Sequence, residues 1–582
     1  MDYDYYLLRS YFFRRENEKK VEFKLQELAD LWLCTAKQCK RRLHNYQLEA
    51  KLIYVPGMGR GNYSTLTFQE EFQQEIKKIS QKALREDQLD EIIQLLQLEI
   101  PKEWFGDVFK ELQGMFGIQR YYGNQETIRY ILRRPLTSLD PLKTSISREA
   151  FMIRQLGDTL LRYDEKSNSL VPSLAHHWKS SDDYCRWTFF LRKGVQFHHG
   201  RTLTSKDVEY TLLRAKNEHS VVAWQLKNVK EIHCINDFKI EVILKIGEPF
   251  FGHYVSTGNL TILPHDILFD EKKWISTGPF KMKAYSEYKI VLEAFEGYYA
   301  ERPLMDRVEF WVVENQKQPM AVAVHNGERE EYDYIERARN DNGVEFLIFN
   351  FKRKTIVDNA KFREAIYHMF DVNELKKVMD DIGMPASNYF FDQSSVIRKD
   401  HHLINGLLKE AGYAGETLVL GTFDYSNAKQ KAWWFQKKAA EYNVNIEIRE
   451  MPIDQAFYTK EFEEETDMLI LRDIPVTDKE LAFLEFCSNP RLMCQRFFSQ
   501  KMLSCLEQKL NEMKFCENHE QRAKEIEKID RWLSDHHYLI YISHPSESEL
   551  IHCAIENKEK DLFLNLNLRL AWAEDEKKED AT

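Results

Sequence analysis

Glycine and proline are scarce, at 22 and 15 of 582 residues, against average usage of about 7% and 5%. That excludes collagen-like sequence and long Gly/Pro linkers. No apolar run reaches the roughly 18 residues that a membrane-spanning helix needs. The start, MDYDYYLLRSYFFRREN, is a poor secretory signal: Asp2 and Asp4 stand where positive charge is wanted, and Arg9, Arg14 and Arg15 interrupt its apolar stretch. The nine cysteines are odd in number and none shows CxxC spacing, the closest pair being Cys34 and Cys39. Reduced thiols in the cytoplasm are the simplest expectation. HExxH and GxSxG are missing, and PGMGRGN lacks the Gly-Lys-Ser/Thr of a phosphate loop. No catalytic constellation, cofactor or metal is therefore expected. The adjacent histidines (176–177, 198–199, 401–402 and 536–537) suit structural roles, because neighbours on a strand point to opposite faces.

What is present is ordinary globular material, 43% apolar and 30% charged, with length for about three to four domain-sized units. Net charge is −11, which disfavours nucleic-acid binding by the whole surface but not by a local patch. Residues 4–15 have a helical aromatic and leucine face. FKLQELADLWL has helical spacing, and Thr35 is an N-cap candidate for TAKQCKRRLHNYQ, with Cys39, Leu43 and Tyr46 inward. LIYV, a Gly-rich centre and YSTLTF then describe a β-hairpin, or wing. Residues 31–69 hold six basic residues and one acid, Glu49, a net of +5, the local concentration that phosphates demand. Thr35, Lys37, Gln38, Lys40, Arg41 and Arg42 form the candidate DNA face on the second helix, and Arg60 lies on the wing tip. Periodicity predicts one long helix over 70–99 and another through Trp104, Phe105, Val108, Phe109, Leu112 and Met115. The second packs against the next domain or, on the sharper reading, forms a homodimer interface.

From Tyr121 strand-like and helix-like segments alternate. PSLAHHWKSSDDYCRWTFFLRKGVQFHHGRTLTSKDVEYTLLR (172–214) resembles the signature of family 5 bacterial solute-binding proteins, the oligopeptide, dipeptide and nickel class. STGPFKM, GYYAERPLMDRVEFWVV, VEFLIFNF, KFREAIYHMFDVNEL and LLKEAGY follow in the family's order. With that domain behind it, the N-terminal part resembles SgrR-type transcriptional regulators, which join a winged helix-turn-helix to such a domain. The resemblance implies a type II periplasmic-binding-protein-like fold, two lobes closing on a small solute. Peptide binders of the family carry a Trp and an Asp-Tyr where this chain reads TDMLILRDIPVTDKE. A peptide is therefore disfavoured, and a sugar, sugar phosphate or other polar solute is expected, with Arg472, Asp473 and Trp433 as candidate contacts.

The resulting expectation is a multidomain α/β and α+β protein. A winged helix-turn-helix and helical linker (70–117) occupy 1–117, a solute-sensing domain 118–570, and an acidic tail 571–582. The function expected is a cytoplasmic regulator binding double-stranded operator DNA. The alternative is a transporter-associated solute-binding protein.

Overall fold

A computed structural model describes residues 1–57, 63–105, 108, 111–112, 116–121, 125–132, 134–144, 147–216, 219–313, 321–322, 324–325, 334–340, 343–379, 382–390, 399–423, 426–452, 459–474, 478–552, 555–556 and 567–573. The N-terminal unit runs α1 (Tyr3–Phe12), β1 (Lys20–Phe23), α2 (Leu25–Leu31), α3 (Ala36–Leu48), β2 (Leu52–Val55) and β3 (Ser64–Phe68). Its three strands pair antiparallel in the order β1-β3-β2, with Val21 and Tyr54 flanking Leu66. Leu8, Phe12, Phe23, Leu28, Leu43 and Leu66 fill one core. This is a winged helix. The sequence reading missed β1, whose four residues alternate exposed and buried and gain their partner, β3, only from 44 residues downstream.

The single helix expected over 70–99 is two, α4 (Phe72–Arg85) and α5 (Leu89–Leu96). The break is Asp87, at φ +52. Its left-handed backbone ends α4, a conformation that the short Asp side chain tolerates. Beyond α5 a 3-10 turn, Lys102–Phe105, leads to Val108, Leu112 and Phe116, all buried in one apolar cluster with Trp311 and Val313 of the next domain. The described part of the apolar face offered as a homodimer surface packs within the chain; Phe109 and Met115 lie outside the described residues.

Two lobes follow. The first holds a six-stranded sheet in which β4 (Gly117–Tyr121) and β5 (Gln125–Leu132) are antiparallel, and β5 runs parallel to Arg307–Val312. A four-stranded antiparallel sheet containing Ala175–Ser180 and Arg186–Leu191 stands beside it. The second lobe is a six-stranded sheet ordered Met384–Pro385, Leu539–His544, Val344–Phe349, Met468–Asp473, Leu418–Phe423, Ile446–Met451. The chain crosses between lobes twice, on Tyr334–Asn340 and Ser546–His552, which pair antiparallel along their whole length. Beyond the second crossing, Leu568 and Ala571 are buried in the first lobe. Ala571 is core and Trp572–Ala573 pairs with Ile555–Glu556, so ordered chain runs past the expected start of the tail at 571.

His198 behaves as a structural histidine. Its Nε2 lies 3.0 Å from the Gly278 carbonyl, its ring meets Phe295 edge-on, and burial pushes it down to about 4.

Candidate DNA interface and ligand cleft

The second helix of the winged fold is α3. Thr35 caps it in a reciprocal box: its hydroxyl accepts from the Gln38 amide, and the Gln38 side chain accepts from the Thr35 amide at 2.9 Å. Cys39, Leu43 and Tyr46 face inward, and Lys37, Gln38, Lys40 and Arg41 are exposed. His44 and Asn45 continue the exposed stripe, three and four residues after Arg41. Sequence reasoning passed over them because only the N-terminal half of α3 was expected to face the bases. Arg42 differs from its neighbours. Its guanidinium lies 2.6 Å from the Asp4 carboxylate and 5.3 Å from the Trp32 ring centroid, tying α3 to α1. The wing strands are in place, while Arg60 at the tip lies outside the described residues.

A packed route connects this unit to the first lobe. Arg9, fully buried in α1, pairs with Glu75 of α4 at 2.9 Å and with Glu16 at 3.1 Å. The Asp87 carboxylate that ends α4 accepts two bonds from Arg129 of β5, at 3.0 and 3.1 Å. The Nε of Arg129 donates to Glu309 at 3.2 Å, and Glu309 also accepts from the Trp311 indole at 3.1 Å. Burial pushes Glu309 up, but Arg129 and its cationic neighbours hold the carboxyl below its ordinary range. Lys289 closes the seam, 3.0 Å from Asp90 of α5 and 4.0 Å above the Trp311 ring. Side chains on both sides interlock, so the winged helix is fixed to this lobe's sheet.

Across the cleft the lobes are in contact. Asp478 caps the helix Lys479–Ser488 and lies 2.5 Å from His253 Nδ1 of the first lobe. Lys514 reaches Glu248 at 2.8 Å, and Arg491 donates to the His219 carbonyl at 2.9 Å. A cavity of about 280 Å³ lies between them, lined by Gln225, Asn228 and Glu248 on one side and Gln495, Asn511 and Lys514 on the other. The Gln225 amide is 4% exposed, and neither of its polar atoms has a hydrogen-bond partner among the described residues.

The three residues proposed as ligand contacts are not gathered in one wall. Arg472 and Asp473 stand at the end of their strand, the Arg472 side chain against Gly343. Asp473 accepts a bond from the Tyr389 hydroxyl. Trp433 departs from expectation. Lys431, two residues earlier on Ser426–Ala440, reaches inward to Glu345 in the sheet, so Trp433, about 200° around the helix, faces outward and is 48% exposed. Its neighbour Trp434 packs on Phe370. Sequence reasoning missed the buried pair itself. Glu345 takes Lys431 at 2.5 Å and the Ser543 hydroxyl at 2.8 Å, at the crossover end of the sheet. The available signal was a lone acid in the apolar run VEFLIFNF.

Burial pushes Glu485 up to about 7, with Asp473 adding to the rise, and burial pushes Asp530 up to about 6. A carboxyl raised on folding lends its full stability below its unfolded pKa and loses it as pH climbs through the folded one. His537, pushed down to about 4 by burial, and His198 act in the opposite sense, so the test compares variants. Glu485→Gln should raise the unfolding free energy at pH 8, by about 2 kcal/mol after allowing for partial solvent access, and leave it unchanged at pH 4.

Comparison with known families settles the class of this two-lobed fold. Residues 169–491 match the family described as bacterial extracellular solute-binding proteins, family 5 Middle, more than half of the chain. The chain belongs to the family 5 solute-binding proteins. Unlike a bare member of family 5, it also carries at residues 4–113 the domain described as sugar transport-related sRNA regulator N-term. Among its relatives is "Uncharacterized protein YhjP" of Bacillus subtilis (strain 168), 27% identical over 447 residues and covering 74% of each chain. Another is "HTH-type transcriptional regulator SgrR" of Escherichia coli O6:K15:H31 (strain 536 / UPEC), 26% identical over 446 residues, 75% of this chain and 77% of that one. Solved structures of the same fold include the periplasmic binding protein DppA from Helicobacter pylori in complex with peptide STSA, with TM-score 0.65, 18% identity, 77% of this chain and 98% of that one. NikA from Staphylococcus aureus in complex with Ni(L-His)2 has TM-score 0.62 and 16% identity, covering 76% of this chain and 99% of that one. Among the described residues no helix is long and apolar enough to cross a membrane.

Proposed function

We propose that this chain is a cytoplasmic transcription regulator that binds operator DNA through α3 and its wing, and senses a small polar molecule between the family 5 lobes. The observation that carries the reading is the exposed face of α3: Lys37, Gln38, Lys40 and Arg41 stand out from a winged helix in an otherwise acidic chain. The SgrR relatives, named as regulators, support it. The domain limits that serve it best are a DNA-binding unit with its linker over 1–117 and a sensor beyond.

The cleft supports the ligand class. Asp473 is engaged by Tyr389, and Asp478 by a helix cap and His253. Neither is spare to hold the ammonium of a free peptide, whose burial without a partner costs several kcal/mol. The unpartnered Gln225 amide in the interlobe cavity suits a hydrogen-bonding solute such as a sugar or sugar phosphate.

The test uses the full chain and DNA from its own upstream region. Fluorescence anisotropy should show affinity falling about a hundredfold between 50 and 200 mM salt if some four phosphates are neutralised. Calorimetry should then show binding of sugars or sugar phosphates and none of di- to pentapeptides. Salt-insensitive binding, or none, defeats the regulator reading; micromolar peptide binding defeats the ligand class.

A further inference from the structure

The closest cysteine pair in the sequence is also paired in space. Cys34 Sγ and Cys39 Sγ are 3.4 Å apart, hydrogen-bonded as thiols and not joined covalently. With Thr35 as the cap of α3, Cys34 and Cys39 occupy the positions just before the cap and four residues into the helix. These are the two sites where apolar side chains ordinarily meet to fix how a chain enters a helix. Here both are thiols. Cys39 is fully buried, whereas Cys34 is partly exposed and follows Leu33, which is 93% exposed at φ +47 in the turn between α2 and α3. Burial, then the neighbouring Cys34, pushes the Cys39 thiol up to about 12, leaving Cys34 as the thiol that solvent-borne reagents meet first.

We infer that Cys34 and Cys39 are a disulfide-forming pair, and that hydrogen peroxide, by joining them, releases α3 from DNA. The second half rests on the regulator reading above. Cys34 sulfur attacks the peroxide, the O–O bond breaks, and a sulfenic acid and one water form. Cys39 sulfur then displaces the hydroxide from Cys34, its own proton leaving with that hydroxide as a second water. Two thiols are oxidised by two electrons and one hydrogen peroxide is reduced. The sulfurs must close from 3.4 Å to about 2.05 Å. Cys39 is set in the helix and the core, so the movement falls on Cys34 and on Thr35 beside it. Thr35 holds Gln38 through both halves of the capping box, and Lys37 lies between them. Base and phosphate contacts demand placement within about 0.5 Å, so the closure misplaces the leading end of the helix.

The experiment treats the full chain with graded hydrogen peroxide, alkylates free thiols and maps peptides. Trypsin cuts after Lys37, between the two cysteines, so the bond is read as two joined peptides. Expected are a Cys34–Cys39 linked species, at least a tenfold loss of DNA affinity, recovery with dithiothreitol, and a Cys34→Ser variant that keeps its affinity in peroxide. Cys34 is the chosen variant because Cys39 is core. Oxidation at other cysteines without the 34–39 link overturns the pair. A quantitative link with affinity unchanged within twofold overturns the release. If the reduced chain binds no DNA, the regulator reading fails and the release with it, while the mapping still decides the disulfide.

Discussion

Lys37→Ala combined with Arg41→Ala is expected to lower operator affinity about a hundredfold, with thermal stability unchanged. Both side chains are exposed on α3, and each contact to phosphate or base edge contributes roughly 1–3 kcal/mol. Arg42→Ala should behave differently. Arg42 is held by Asp4 and Trp32, a half-exposed tie of the kind that contributes about 1 kcal/mol or less. Its removal should loosen α1 from α3 slightly and weaken all DNA sequences alike. Binding measured against a panel of single-base operator variants checks this. A base preference that relaxes in Arg42→Ala and not in Arg41→Ala would reverse the two roles.

The second large effect concerns the seam. Arg129→Leu removes the cation that serves Asp87 and the buried Glu309 together. Glu309 keeps Arg307 at 2.8 Å and the Trp311 indole, so losing the Arg129 bond costs about 1.5–3 kcal/mol. Limited proteolysis should then release the winged helix with its linker, and the freed unit should still bind DNA. The response of DNA affinity to ligand should disappear, because a ligand acts at the winged helix only through a difference between two arrangements of the chain. An Arg129→Leu chain whose DNA affinity still follows ligand would show that the lobes signal by another route. Glu309→Gln with Arg129 intact serves as the milder companion, expected to weaken the seam and keep the response.

The winged helix and its family 5 companion were legible because their signals are local. Helical spacing, a Thr cap, a Gly-rich hairpin and the 172–214 signature each lie within a few dozen residues. What escaped depends on partners far along the chain. β1 exists because β3 pairs with it. The break at Asp87 falls where the apolar spacing widens to five, from Leu84 to Leu89, and the Asp87 carboxylate there is held by Arg129, 42 residues on. Lys431 looked like surface in KQKAWWFQKK because its partner, Glu345, is 86 residues away. Trp433 and Trp434 offered no way to tell inward from outward until Lys431 fixed the helix phase. Arg41 and Arg42 were alike as letters; only the Asp4 carboxylate separates them.

The double crossing between the lobes has a consequence for synthesis. The winged helix, with the Glu75 that pairs its buried Arg9, is complete once α4 has left the ribosome, and the second lobe once His544 has. The first lobe is not, because Leu568 and Ala571 belong to its core and Arg569 holds Asp158 at 3.2 Å. At about 5–20 residues per second, some 500 residues separate a folded winged helix from a finished first lobe, an interval of roughly 25–100 s. Each new molecule thus has its winged helix before its finished solute-binding fold. A stop codon after residue 552 would make that condition permanent: a winged helix on a lobe whose last core residues never arrive.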